Sequence, residues 1–174
     1  ILYYHFFYDD TKGEKYDPWV ADIYLAKTDF IKQIEYLVEN NYYYPTWSEL
    51  EDYIDGKIQL PKKNVIITVD DGNPTYFNIA VPILNERNIP STSFFITNKE
   101  RWNTYKDTKG VIFQSHTHAL HERSCKSGSK DGKAMCLTSS EILKDLKKSL
   151  EYVKNNDCLA YPFGHYDNDF IKAV

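Results

Sequence analysis

The sequence predicts an α/β fold in which parallel strands joined by helices curve into a barrel-like sheet. Two observations carry this reading. Short apolar, β-branched runs alternate with stretches of helical period, a pattern that implies parallel pairing. Three of those runs also end abruptly in unusual polar sequences: DDG at residues 70–72, SHTHALH at 115–121 and YPFG at 161–164. Polar residues just past the carboxyl ends of parallel strands share one rim, where an active site can assemble. No glycine-rich phosphate loop follows the first strand, which favours the barrel over an open doubly wound sheet.

Residues 1–8 (ILYYHFFY) are continuously apolar and aromatic, as in a strand buried on both faces. From Thr28 the period becomes helical: Phe30, Ile31, Ile34, Leu37 and Val38 share a face, Thr28 is placed to cap, and Asn40-Asn41 to stop. Residues 48–54 repeat this briefly, with Gly56 as the stop signal. Residues 64–69 (NVIITV) read as a strand running into Asp70-Asp71-Gly72. Residues 75–88 then read as a helix containing Pro82, 91–97 (STSFFIT) as a strand, and 111–114 as a strand leading into Ser115-His116-Thr117. Thr138 and Glu141 form a capping box for a helix to about Asn155, and 158–161 is a further strand ending in Pro162-Phe163-Gly164.

With 174 residues, 42% apolar and 16% aromatic, the chain can bury a substantial core and is read as one domain, 1–174. A net charge of -4, with lysines scattered among acids, leaves no footprint for nucleic acid. No stretch approaches the roughly 20 consecutive apolar residues of a membrane-spanning helix. The sequence shows neither an initiator Met nor a basic-then-apolar leader, so Ile1 is read as the start of a trimmed or mature segment. Cys125 and Cys136 flank a loop rich in Gly, Ser and Lys; a disulfide across it and two unpaired surface thiols both fit. Cys158 reads as a small buried hydrophobe.

Asp70 and Asp71 place two carboxylates side by side at one strand end, a conflict that a divalent cation relieves. The cation would take one as ligand and leave the other to accept a proton from water. A capped Asp-Gly turn is the plain alternative. His116, His118 and His121 are three of only five histidines, clustered within six residues, and clustering of that kind favours metal binding over packing. Two imidazoles with one carboxylate make an open three-ligand site with room for water. His116 and His121 converge if the strand turns after Thr117. The residues alone leave His118 open as a ligand, as a support for the ligands, or as a solvent-facing group.

The segments TVDDG (68–72), SHTHALH (115–121) and AYPFG (160–164), in this order and spacing, resemble the first three motifs of the polysaccharide deacetylases of carbohydrate esterase family 4, the NodB homology domain. ILYYHFF resembles that family's first strand, and FIKQIEYLVENNYYYPTWSEL its first helix and following segment. The resemblance implies a distorted (β/α) barrel with Asp70 as general base and Asp71, His116 and His121 as metal ligands. The ion expected is zinc by ligand type, with cobalt, nickel or iron as alternatives. Most members separate the two histidines by four positions; the step to His121 is five, similar to the branch that includes poly-N-acetylglucosamine deacetylases.

The implied activity is hydrolysis of N-acetyl groups on an N-acetylglucosamine polymer of cell wall or exopolysaccharide, outside the cytoplasm. Tyr161, Pro162 and Phe163 are expected at the substrate, with a backbone N–H near Tyr161 facing the oxyanion and Phe163 favoured over Trp102 and Tyr166 for stacking on sugar. Two departures stand out. The third motif lacks the Arg that orients the base in many members, and the 174 residues hold neither later motif, so the general acid is unassigned; His165 reads as a surface histidine. An O-acetyl esterase acting on xylan with the same site, and a non-catalytic carbohydrate-binding domain that keeps the metal, are the rival readings.

Overall fold

The computed structural model describes residues 1–15, 23–123, 125 and 131–174, so the centre of the loop flanked by Cys125 and Cys136 lies outside the described residues. In chain order the strands are β1 (Leu2–Tyr4), β2 (Phe6–Tyr8), β3 (Tyr24–Ala26), β4 (Ile67–Val69), β5 (Ser91–Phe95) and β6 (Val111–Ser115). The helices are α1 (Lys27–Glu39), α2 (Trp47–Ile54), α3 (Val81–Glu86), α4 (Trp102–Tyr105), α5 (Ser139–Val153) and α6 (Asn168–Ala173). One sheet has the order β1-β4-β5-β6, and β2 and β3 form a separate pair. The strand pairings are parallel, as the alternation of strands and helices predicts, and the pairing does not close into a ring among the described residues. The described residues gather into two compact units, Ile1–Ser93 with Asp107–Ile112, and Phe94–Lys106 with Phe113–Val174.

In the first unit, β4 runs beside β1 with Leu2 opposite Ile67, and beside β5 with Thr68 opposite Thr92. Its approach and body, from Val65 to Val69, are buried, as a β-branched run with a neighbour on each edge requires. The opening apolar run is two strands rather than one. It breaks at His5, after which β2 leaves β4 and pairs with β3, Phe6 opposite Tyr24. Nor is it buried on both faces: β1 is an edge strand, and Ile1 and Tyr3 are each 71% exposed.

Helix α1 buries Phe30, Ile34 and Leu37, whereas Val38 is exposed, so its apolar stripe is narrower than the sequence suggests. Thr28 does not cap it. Ala26 holds the cap position, and the carboxylate of Asp10 accepts the Thr28 N–H at 3.2 Å. Asn40 ends the helix and Asn41 turns left-handed at φ 55°, as expected. Thr46 and Glu49 form a capping box for α2. The stretch predicted as one helix around Pro82 is a widened turn over Tyr76–Ala80 followed by α3, with Pro82 in the first turn of α3. Proline has no N–H to donate to the preceding turn, and its ring crowds the carbonyl four residues back.

The second unit is centred on α5, which opens with the Thr138–Glu141 capping box. Ile142 and Leu146 of α5 join Leu120, Ala134, Phe170 and Ala173 in one buried cluster. The strand expected at 158–161 is reduced to a single parallel bridge between Ser115 and Leu159. Ala160 N–H donates to the Ser115 carbonyl at 3.2 Å, but the Ala160 carbonyl is taken by a side chain, which ends the ladder. Cys125 and Cys136 are bridged, with their Cα atoms 5.2 Å apart. Cys158 is half-buried, and burial, with the nearby Asp157 charge, pushes its thiol up to about 12.

Candidate metal centre

The Asp70-Asp71 pair and the histidine cluster each sit just past the end of a strand, β4 and β6. The Asp70 N–H donates to the Tyr4 carbonyl at 3.0 Å, completing the pairing of β4 with β1. Beyond that point Asp71 adopts φ 68° and Gly72 φ 63°, two successive left-handed residues that turn the chain sharply away from the sheet. Asp tolerates this region better than most residues. Asp70 is half-buried, and Nε2 of His5 lies 3.9 Å from its Oδ2. Nothing in the sequence singles out His5 beyond its place as the polar interruption of an apolar run.

Just past β6, His116 is 2% exposed and its N–H donates to the Phe95 carbonyl at 3.1 Å. Nδ1 of the ring lies 2.8 Å from the Ala160 carbonyl oxygen. A carbonyl only accepts, so Nδ1 carries the proton and Nε2 keeps the lone pair that a metal requires. Thr117 then takes φ 67°, and the chain folds back until the His121 ring centroid lies 4.7 Å from that of His116. The turn after Thr117 on which the pairing of His116 with His121 depends is therefore present.

Within the second unit His116 and His121 thus converge as a pair of imidazoles, and Asp71 is the carboxylate that the sequence offers as their third partner. One carboxylate oxygen with two imidazole nitrogens would suit a zinc-like divalent cation and would leave positions for water and substrate. His118 is not in this group. Its Nδ1 is 2.9 Å from the Thr97 hydroxyl, and its ring stacks on Tyr152 at 5.5 Å. Leu120, four positions after His116, is 3% exposed and belongs to the apolar cluster.

The YPFG segment divides its side chains. Tyr161 packs inward, its ring 4.8 Å from Phe170 and 5.0 Å from Tyr166, and Pro162 is buried. Phe163, at φ 58°, lies with its ring centroid 4.3 Å from that of His121 and 4.3 Å from the guanidinium carbon of Arg123. A sequence scan has no means of singling out Arg123. Nδ1 of His165 accepts the Gly132 N–H at 3.0 Å, a structural bond rather than that of a solvent-facing ring. Trp102 is buried, edge-on to Phe95 and Phe113.

The chain matches the polysaccharide deacetylase family model over residues 57–174. It is 34% identical over 169 residues to the poly-beta-1,6-N-acetyl-D-glucosamine N-deacetylase of Staphylococcus epidermidis, covering 86% of this chain and 57% of that protein. The protein of the same name from Staphylococcus aureus is 32% identical over 170 residues, with the same coverage. The chain thus spans little more than half the length of the curated relatives it matches. Among solved structures, IcaB from Ammonifex degensii superposes with a TM-score of 0.77 at 23% identity, covering 98% of this chain and 76% of that one. A de-N-acetylase from Aggregatibacter actinomycetemcomitans gives 0.75 at 22% identity, covering 99% and 82%. At these identities the superpositions establish the α/β fold with its parallel sheet.

Proposed function

Since the chain belongs to the polysaccharide deacetylase family, we propose that it hydrolyses the N-acetyl groups of a polysaccharide built on N-acetylglucosamine. One divalent metal ion, zinc by ligand type, is assigned to Asp71, His116 and His121. The observation that carries this reading is the convergence of the His116 and His121 rings to 4.7 Å, with His116 Nδ1 held by the Ala160 carbonyl so that Nε2 is left for a metal. The curated relatives named as poly-beta-1,6-N-acetyl-D-glucosamine N-deacetylases support the substrate class.

When bound, the ion supplies Lewis-acid polarisation of the acetamide carbonyl and stabilises the charge that develops on its oxygen. Asp70 accepts the proton of the water that attacks the carbonyl carbon. The C–N bond then breaks, and the departing sugar amine needs a proton. His5, 3.9 Å from Asp70, is the titratable group beside the base, and we assign it both the orienting role that the missing Arg leaves open and the return of that proton. His116 holds its tautomer through the Ala160 carbonyl. The 161–163 segment is assigned to substrate binding, with Phe163 as the wall behind His121.

Residues 1–174 are assigned to one catalytic domain acting outside the cytoplasm; the Cys125–Cys136 bridge supports that location, because disulfides persist in oxidising compartments. The test is acetate release from β-1,6-linked N-acetylglucosamine oligomers and, in parallel, from acetylated xylan, using zinc-loaded parent and Asp70→Asn. The parent should cleave the amide, and Asp70→Asn should be slower by about 100-fold to 10,000-fold. Cleavage of the xylan ester alone, or an Asp70→Asn variant as fast as the parent, overturns the reading.

A further inference from the structure

The two histidines of the proposed centre are separated by a turn in an unfavourable conformation. Thr117 is β-branched and fully buried, yet sits at φ 67°, where only glycine is at ease. A buried residue stays there only if its surroundings over-determine the backbone. Within the turn, Thr117 N–H donates to the Ser115 hydroxyl at 3.0 Å, and Leu120 N–H reaches Thr117 Oγ1 at 3.3 Å. The next two N–H groups are captured from outside. His118 N–H donates to Oδ1 of Asp145 at 2.7 Å, and Ala119 N–H donates to Oδ2 of the same carboxylate at 2.8 Å. Lys133 holds the opposite side of the turn, donating from Nζ to the Ala119 carbonyl at 3.2 Å and pairing with Glu122 at 3.0 Å.

Asp145 is half-buried on α5, between Ile142 and Leu146, which anchor that helix in the apolar cluster. A carboxylate with both oxygens spent on consecutive backbone donors fixes the direction of that peptide segment more tightly than a single bond does. The same segment carries His121 back towards His116. We propose that Asp145 is a positioning residue for the metal centre: by capturing the N–H groups of His118 and Ala119 it holds Thr117 left-handed and sets the separation of His116 and His121. The inference rests on the metal reading above and adds to it a residue that touches neither ligand ring.

The experiment compares zinc affinity, measured by competition with a chromogenic chelator, with the thermal midpoint of the metal-free protein. In Asp145→Asn one oxygen becomes an NH2 group, which cannot accept, so one of the two captures is lost. Zinc binding should weaken about 10-fold to 100-fold, the range found when a group supporting a ligand is removed. In that background Thr117→Gly, which needs no clamp at positive φ, should recover part of the lost affinity; a merely structural role would give no such rescue. Should Asp145→Asn not fold, Asp145→Glu carries the same test, because it keeps the charge but displaces both oxygens. Parent-like zinc affinity in a folded Asp145 variant overturns the inference and leaves the metal reading standing. A parent that takes up no zinc sinks both.

Discussion

Leu120→Ala tests whether the apolar cluster is what seats the second histidine. Leu120 is 3% exposed and packs with Ala134, Ile142, Leu146, Phe170 and Ala173, one position before His121. Removing three buried carbons costs about 2.4 kcal/mol in transfer free energy at about 0.8 per methylene. The cavity left behind raises this to about 3–4 kcal/mol, within the span seen for buried leucines. For a chain of this size each kcal/mol shifts the midpoint by about 2–4 °C, so a fall of about 6–16 °C should appear in a circular-dichroism melt of the metal-free protein. Zinc affinity, measured separately, should fall as well. A midpoint lowered by less than about 3 °C would refute the claim that this turn is anchored in the core. A sharper version uses Leu120→His with His121→Ala, which recreates the four-residue histidine step. Because position 120 faces the cluster, zinc binding should not return; its return would show that position 120 points to the metal and not into the core.

Chelation followed by dialysis should abolish acetate release, and stoichiometric zinc should restore it, with Asp70→Asn still binding zinc as the parent does; loss of binding there would make Asp70 a ligand rather than the base. His5→Gln should lower kcat while leaving zinc affinity unchanged, and an unchanged kcat removes His5 from the proton path. The carboxyl of Asp9 is lowered to about 2, first by the Thr11 hydroxyl and then by Lys27. A depressed carboxylate stabilises the fold above its unfolded value, about 3.9, and loses that contribution as pH falls through its folded one. The destabilisation caused by Asp9→Asn should therefore be present at pH 7 and fade between about pH 4 and 2; a pH-independent penalty in thermal melts contradicts the assignment.

The sequence signals the candidate site more sharply than the chain path around it. Asp70 and Asp71 stood out because two acids at a strand end conflict locally, and the histidine cluster because six residues held three imidazoles. Both are short-range signals. The break at His5 could not be read from ILYYHFFY, because it arises from two different partners, β4 and β3, distant in the chain. The same holds for Thr28, whose cap role passes to Asp10 from a separate segment, and for residues 158–161, where a histidine takes the carbonyl that a strand would have used. Asp145 was invisible for a related reason: an acidic residue on an amphipathic helix looks solvated until the loop it meets is known.

The three cysteines give this chain a readout of its own state. With Cys125 and Cys136 joined and the Cys158 thiol pushed far above neutral pH by burial, the folded, oxidised protein offers a thiol reagent almost nothing to react with. Mild reduction releases two accessible sulfurs, and unfolding adds a third. Counting modified cysteines by mass thus separates an opened loop from a lost fold, with no label, spectroscopic probe or substrate added.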